Sequence, residues 1–144
     1  MSNVTVEYFI GAIWAGYLKN TGDESALRSM EEIMEFGRDV GWLEEQDTLW
    51  KDRMIERRNA ARIIHEFLRL KCSETDENDW RKAEKLTDLY DCKACAKHVA
   101  QAYLKGIMPA KDKNGFQLLQ KVDENELAEF IYRMFNKNAR LSVE

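Results

Sequence analysis

A chain of 144 residues is long enough for one domain with a proper core. A third of its residues are charged, its net charge is -4 and it holds a single proline, Pro109. That balance suits a helical protein and speaks against nucleic acid, which selects for a basic face. The apolar stretch over residues 8–18 is too short to cross a bilayer and follows no basic residue. The chain is therefore expected to start at its native Met1, to avoid membranes and to stay in the cytoplasm. Three cysteines, an odd number, do not suggest a disulfide framework.

In chain order, a first helix is expected over residues 6–19, with Ile10, Ile13, Trp14, Tyr17 and Leu18 as its apolar stripe. Asn20-Thr21-Gly22-Asp23 reads as a turn. A second helix starts near Ser25 and runs to about Arg38, with Leu27, Met30, Ile33 and Met34 facing inward and Gly41 as its stop. Residues 44–52 are a polar connection carrying Leu49 and Trp50. The helix over residues 55–70 has Ala60, Ile63, Ile64, Phe67 and Leu68 on one stripe, which the first helix resembles closely enough to suggest a divergent copy. Residues 73–79 are acidic and turn-rich, a surface link between two halves. A short helix is expected over residues 80–86 and another over residues 92–105, ended by Gly106. Residues 109–120 form a connection with the turn signal Asn114-Gly115. Asp123 and Glu126 make a capping-box pair for the last helix, whose stripe is Leu127, Phe130, Ile131, Met134 and Phe135. No segment has a strand pattern.

The two halves align. Leu27, Met30, Met34, Gly37, Gly41 and Trp42 match Cys92, Cys95, Val99, Ala102, Gly106 and Ile107 without gaps; Trp50 corresponds to Phe116, and Ile55 to Val122 after a small insertion. Each half is then a helix, a glycine stop, a loop with a buried aromatic plug, and a second helix. Such a pair cannot cover its own apolar faces, so the halves should pack together.

These residues resemble the S-layer homology family. Leu86-Thr87-Asp88-Leu89 is similar to its entry motif, residues 96–107 to its first helix and glycine turn, Phe116 to its loop aromatic, and residues 122–133 to its second helix. In the first half, Gly41-Trp42-Leu43 and residues 55–68 fit, and the entry motif is missing. The resemblance implies a helical repeat fold and, through the arginine of a Thr-Arg-Ala-Glu motif, binding of an anionic cell-wall polysaccharide. Glu56-Arg57-Arg58-Asn59 keeps that arginine as Arg57, whereas Asp123-Glu124-Asn125-Glu126 puts a glutamate in its place.

Three clusters have residue types that carry chemistry. Cys92, Cys95 and His98, with Cys72 nearby, are zinc-ligand types. The two cysteines stand where Leu27 and Met30 stand in the other half, so they are expected to be buried, reduced and metal-free. Glu31, Glu32 and Glu35 resemble the Glu-Glu-x-x-Glu motif of all-α nucleotide pyrophosphohydrolases, in which carboxylates of adjacent helices hold Mg²⁺. The partner motif here reads Glu56-x-x-Asn59, and Arg57 and Arg58 beside it oppose a cation. Arg53, Arg57, Arg58 and Arg62 gather on one helix surface, either paired with Glu31, Glu35 or Glu44, or free to take an anion in bidentate geometry.

The resulting expectation is one all-α domain over residues 1–144, with repeat A over about 25–70, repeat B over about 86–137 and an N-terminal helix, forming one helical bundle. Its expected function is a non-enzymatic cytoplasmic binding or assembly module without cofactor or metal. It would take a protein partner, a second copy or an anionic ligand through Arg53, Arg57, Arg58 and Arg62. The alternatives are a Mg²⁺-dependent pyrophosphohydrolase and a polysaccharide anchor.

Overall fold

The computed structural model describes residues 2–23, 26–113 and 115–143. Ser25 and Asn114, on which two expectations fell, lie outside them. Among the described residues the protein is helical with no strand: α1 (Val6–Thr21), α2 (Met30–Val40), α3 (Glu45–Leu49), α4 (Arg57–Glu66), α5 (Ala96–Leu104) and α6 (Glu124–Phe135). No helix is long and apolar enough to cross a membrane.

Local chemistry sets the helix ends. Thr5 accepts from the Tyr8 amide, Ser29 and Glu32 form a reciprocal capping box on α2, and Asp123 and Glu126 form the expected one on α6. Gly22 and Gly41 close α1 and α2 in the left-handed region, at φ 69° and 104°. Gly106 follows α5 at φ 74°, where a Cβ would also strike the Leu141 backbone.

Three helices, α1, α4 and α6, start from one knot of backbone. Val4 N–H donates to the Val122 carbonyl (3.1 Å), Val122 N–H to Ile55 (3.0 Å) and Ile55 N–H to Val4 (2.9 Å). Each of the three residues gives one hydrogen bond and takes one, and all three are buried, so no peptide group in this dry centre is left unpaired. Further along, Tyr17, Phe67 and Phe135, one from each helix or its extension, meet pairwise at ring centroids 5.5 to 6.5 Å apart. The helices therefore run side by side in one direction. Gly16 lets α6 come close to α1, since a Cβ there would lie 2.7 Å from Ile131. α2 lies on α1 with Phe36 edge-on to Trp14, and α5 lies on α4 with His98 against His65.

Several expectations need correcting. Leu27 is exposed, because α2 begins only at Met30. Phe116 is fully buried as expected, but Trp50 is half-buried beneath the Arg53 guanidinium at 4.6 Å, whereas Trp42 and Phe67 are fully buried. The polar connection after α2 holds the short helix α3. The helix at 55–70 turns into a π-turn over Phe67–Lys71, and the short helix at 80–86 shrinks to a 3-10 turn, Ala83–Lys85. The surface link is tied down: Gln101 pairs with both backbone groups of Glu77, and the Glu74 carboxylate is held by Arg140 and Lys105.

Candidate functional site

The four arginines do not form one surface. Arg53 is exposed and stacked on Trp50. Arg58 is half-buried and paired with Glu56 at 2.9 Å. Arg57 is fully buried: its Nε donates to the Phe116 carbonyl (2.8 Å), Nη2 to the Pro109 carbonyl (2.6 Å) and Nη1 to the Glu126 carboxylate, with the Phe116 ring below it at 4.6 Å. Burial lowers its pKa, and Glu126 opposes that shift. Arg62 is buried in a fork-to-fork pair with Asp47, at 2.6 and 3.0 Å. Of the two readings of this cluster, Arg57 follows internal pairing, though with Glu126 and two carbonyls rather than with Glu31, Glu35 or Glu44. Its stem sits between the α6 capping box and the Phe116 loop, whose amides at 116 and 117 are clamped by Asp88, both at 2.8 Å.

Cys92 and Cys95 are half-buried and joined by a disulfide, which corrects the expectation of buried, reduced thiols. The misreading came from their apolar register; a Cys-x-x-Cys spacing at the start of a helix also suits a redox pair. Glu31, Glu32 and Glu35 are exposed, and Glu32 is spent on its capping box with Ser29. Glu56 faces Arg58 and Lys121. Among the described residues these carboxylates form no group close enough to share an ion.

Sequence reasoning missed a polar cluster in the core. The chain has two histidines, one on α4 and one on α5, and the fold presses them together: His65 Nδ1 lies 2.8 Å from His98 Nδ1. His65 Nε2 lies 2.7 Å from the Asp76 carboxylate, an acceptor only, so Nε2 carries the proton. Glu66 sends Oε1 to within 3.6 and 3.7 Å of the two Nδ1 atoms, while Arg69 holds its Oε2 at 2.6 Å. The signal available in the sequence was that the two histidines of the chain both fall on or beside an apolar helix stripe.

Burial pushes His98 down from its ordinary pKa of 6.5 to about 4, helped by His65 and opposed by Glu66. Folded His98 therefore refuses a proton that the unfolded chain accepts from about pH 6.5 downward. His98 thus costs nothing above that pH, and stability should fall by roughly 3 kcal/mol as the pH drops from 6.5 to 4, because the unfolded chain gains the proton that the fold excludes. Urea denaturation across that range checks it; His98→Gln should flatten the slope.

A concavity of about 1110 Å³ lies between α1 and α6. Gly11, Ala12, Ala15 and Gly16 form one wall, Ala128 and Ile131 the other. Tyr8 and Tyr132 stand at its rim, 57% and 62% exposed. Glu7 and Glu124 mark its start and Lys19 its far end.

Comparison with family models, with curated proteins and with solved structures found no match.

Proposed function

We propose that this chain is a non-enzymatic binding module that takes an amphipathic helix of a protein partner in the groove between α1 and α6. The observation that carries the reading is that, among the described residues, α6 lacks the cover that its two neighbours have. Counting from the hydrogen-bonded residues Val4, Ile55 and Val122, the tenth residue on is Trp14, His65 or Tyr132. Trp14 is covered by α2 and His65 by α5, and both are buried; Tyr132 is exposed. Six residues on from the same ring, Ile10 and Ala61 are fully buried and Ala128 is exposed.

On this reading the fold is a threefold arrangement of S-layer-homology-like units, in which α2 and α5 are two outer helices and the groove is the place of a third. A continuous apolar face beside small residues suits a helix laid lengthwise. The acidic start and basic far end of the groove favour an occupant with the opposite order of charge. The arginines recede as a binding surface, because Arg57 and Arg62 are already committed inside the protein. The same burial takes from Arg57 the exposure that a polysaccharide contact requires.

The chain's own α2 is an example of the expected occupant. A labelled peptide of residues 28–43 should bind the full chain saturably, and Ala15→Arg or Ala128→Arg, at exposed helix positions, should weaken it at least tenfold. Unchanged affinity in both variants would count against the groove. Concentration-dependent dimerisation that Ala128→Arg abolishes would instead make a second copy the occupant.

A further inference from the structure

We propose that His65, His98 and Glu66 form a site for one divalent transition-metal ion of the zinc class, which joins α4 to α5. The inference is separate from the groove.

The donor set is two imidazole nitrogens and one carboxylate oxygen, all within 4.8 Å of one another. Two nitrogens with one carboxylate suit zinc and its neighbours, whereas calcium and magnesium call for oxygen throughout. Ligands about 2.0–2.1 Å from a tetrahedral ion lie roughly 3.3 Å apart. The Glu66 oxygen is 3.6 and 3.7 Å from the two nitrogens, and the nitrogens are 2.8 Å from each other. A small rotation of either ring, opening the nitrogens by about half an ångström, brings all three to ligand spacing. His98 then carries its proton on Nε2, freeing the Nδ1 lone pair; no net proton is lost.

The surroundings are arranged as metal-bound histidines require. Asp76 accepts the far N–H of His65, which fixes the tautomer whose Nδ1 lone pair points inward. Arg69 holds Glu66 from the outer side, Nη2 on Oε2 at 2.6 Å and Nε more loosely on Oε1 at 3.4 Å, and Oε1 faces the two rings. Both imidazoles are almost fully buried, at 2% and 7% exposure, while the Asp76 side chain is 44% exposed and marks the way in. Glu66 and Asp76 are the two carboxylates that reach the rings themselves; Arg69 is paired with Glu66, Arg62 with Asp47, and Lys97 acts on His98 as a further positive charge. Glu66 sits on α4 beside His65, and His98 comes from the other half, so an ion here would cross-link two segments 33 residues apart in sequence.

The test is calorimetric titration of Zn²⁺ into the chelator-treated full chain, with Co²⁺ as a spectroscopic probe. Saturable 1:1 binding is expected, with a visible Co²⁺ spectrum of a four-coordinate site carrying nitrogen and oxygen ligands. Glu66→Gln and the milder Asp76→Asn should each weaken binding about 10- to 100-fold while circular dichroism stays unchanged. Replacing all three cysteines with serine should leave the affinity intact. Absence of 1:1 binding, the parent's affinity retained in both variants, or loss of binding on removing the cysteines would overturn the proposal; the last would place the ion on the reduced Cys92–Cys95 pair.

Discussion

Arg57→Ala is expected to destabilise the protein by about 3–5 kcal/mol, the range for breaking a buried ion pair from one side. In a domain of this length that lowers Tm by about 10 °C or more. The substitution takes the donor from three acceptors at once: the carbonyls of Phe116 and Pro109, and the Glu126 carboxylate, which keeps only its α6 cap bond and Lys111 at 3.6 Å. It also removes the planar group packed over the Phe116 ring. Arg57→Lys should recover only part of the loss, because one ammonium cannot aim at three acceptors in a fork. Thermal and urea melts of the two variants beside the parent check both statements. A surface arginine would give less than about 1 kcal/mol in either variant.

Asp47→Ala should have an effect of similar size, again about 3–5 kcal/mol. Asp47 is 3% exposed and takes both terminal nitrogens of Arg62; it also accepts the Glu44 amide at 2.7 Å. Removing it leaves a guanidinium charge in the interior and an unpaired amide at the start of α3. Asp47→Asn keeps the amide's acceptor and loses the charge, so it should fall between the parent and the alanine variant. Chemical denaturation resolves the order; an alanine variant equal to the parent would mean that water replaces the carboxylate without cost.

The helices were legible because their apolar residues recur at helical spacing and most of their ends carry chemical stops: Asp123 with Glu126, and the glycines at 22, 41 and 106; the Ser29–Glu32 box went unread, and the start of α2 was placed near Ser25 instead. Register was less so. The stripe of α1 matched that of α4 with Ile10 beside Ala60, whereas the backbone ring that sets Val4 beside Ile55 places it with Ala61. An apolar stripe is about 100° wide and one residue turns the helix by the same angle, so periodicity alone tolerates the slip.

The site was harder to read for a different reason. Arginines at 53, 57, 58 and 62 look like a charged face on a helix drawn alone. Burial of Arg57 depends on carbonyls of residues 109 and 116 and on Glu126, which the chain brings back only after more than fifty residues. The histidine pair is likewise a long-range meeting. Cys92 and Cys95 were matched to Leu27 and Met30, and that correspondence hid the bond between them, because Leu27 is itself exposed.

The uncovered face of α6 is the centre of the functional account, and its most direct test is a nuclear magnetic resonance titration. The isotope-labelled full chain is titrated with unlabelled peptide of residues 28–43, and the amide shifts are mapped. The account predicts saturable changes concentrated at Gly11, Ala15, Ala128 and Tyr132, lost in Ala128→Arg. Changes centred on Arg53 and Arg58, or on α2 and α5 with the groove residues unmoved, would contradict it.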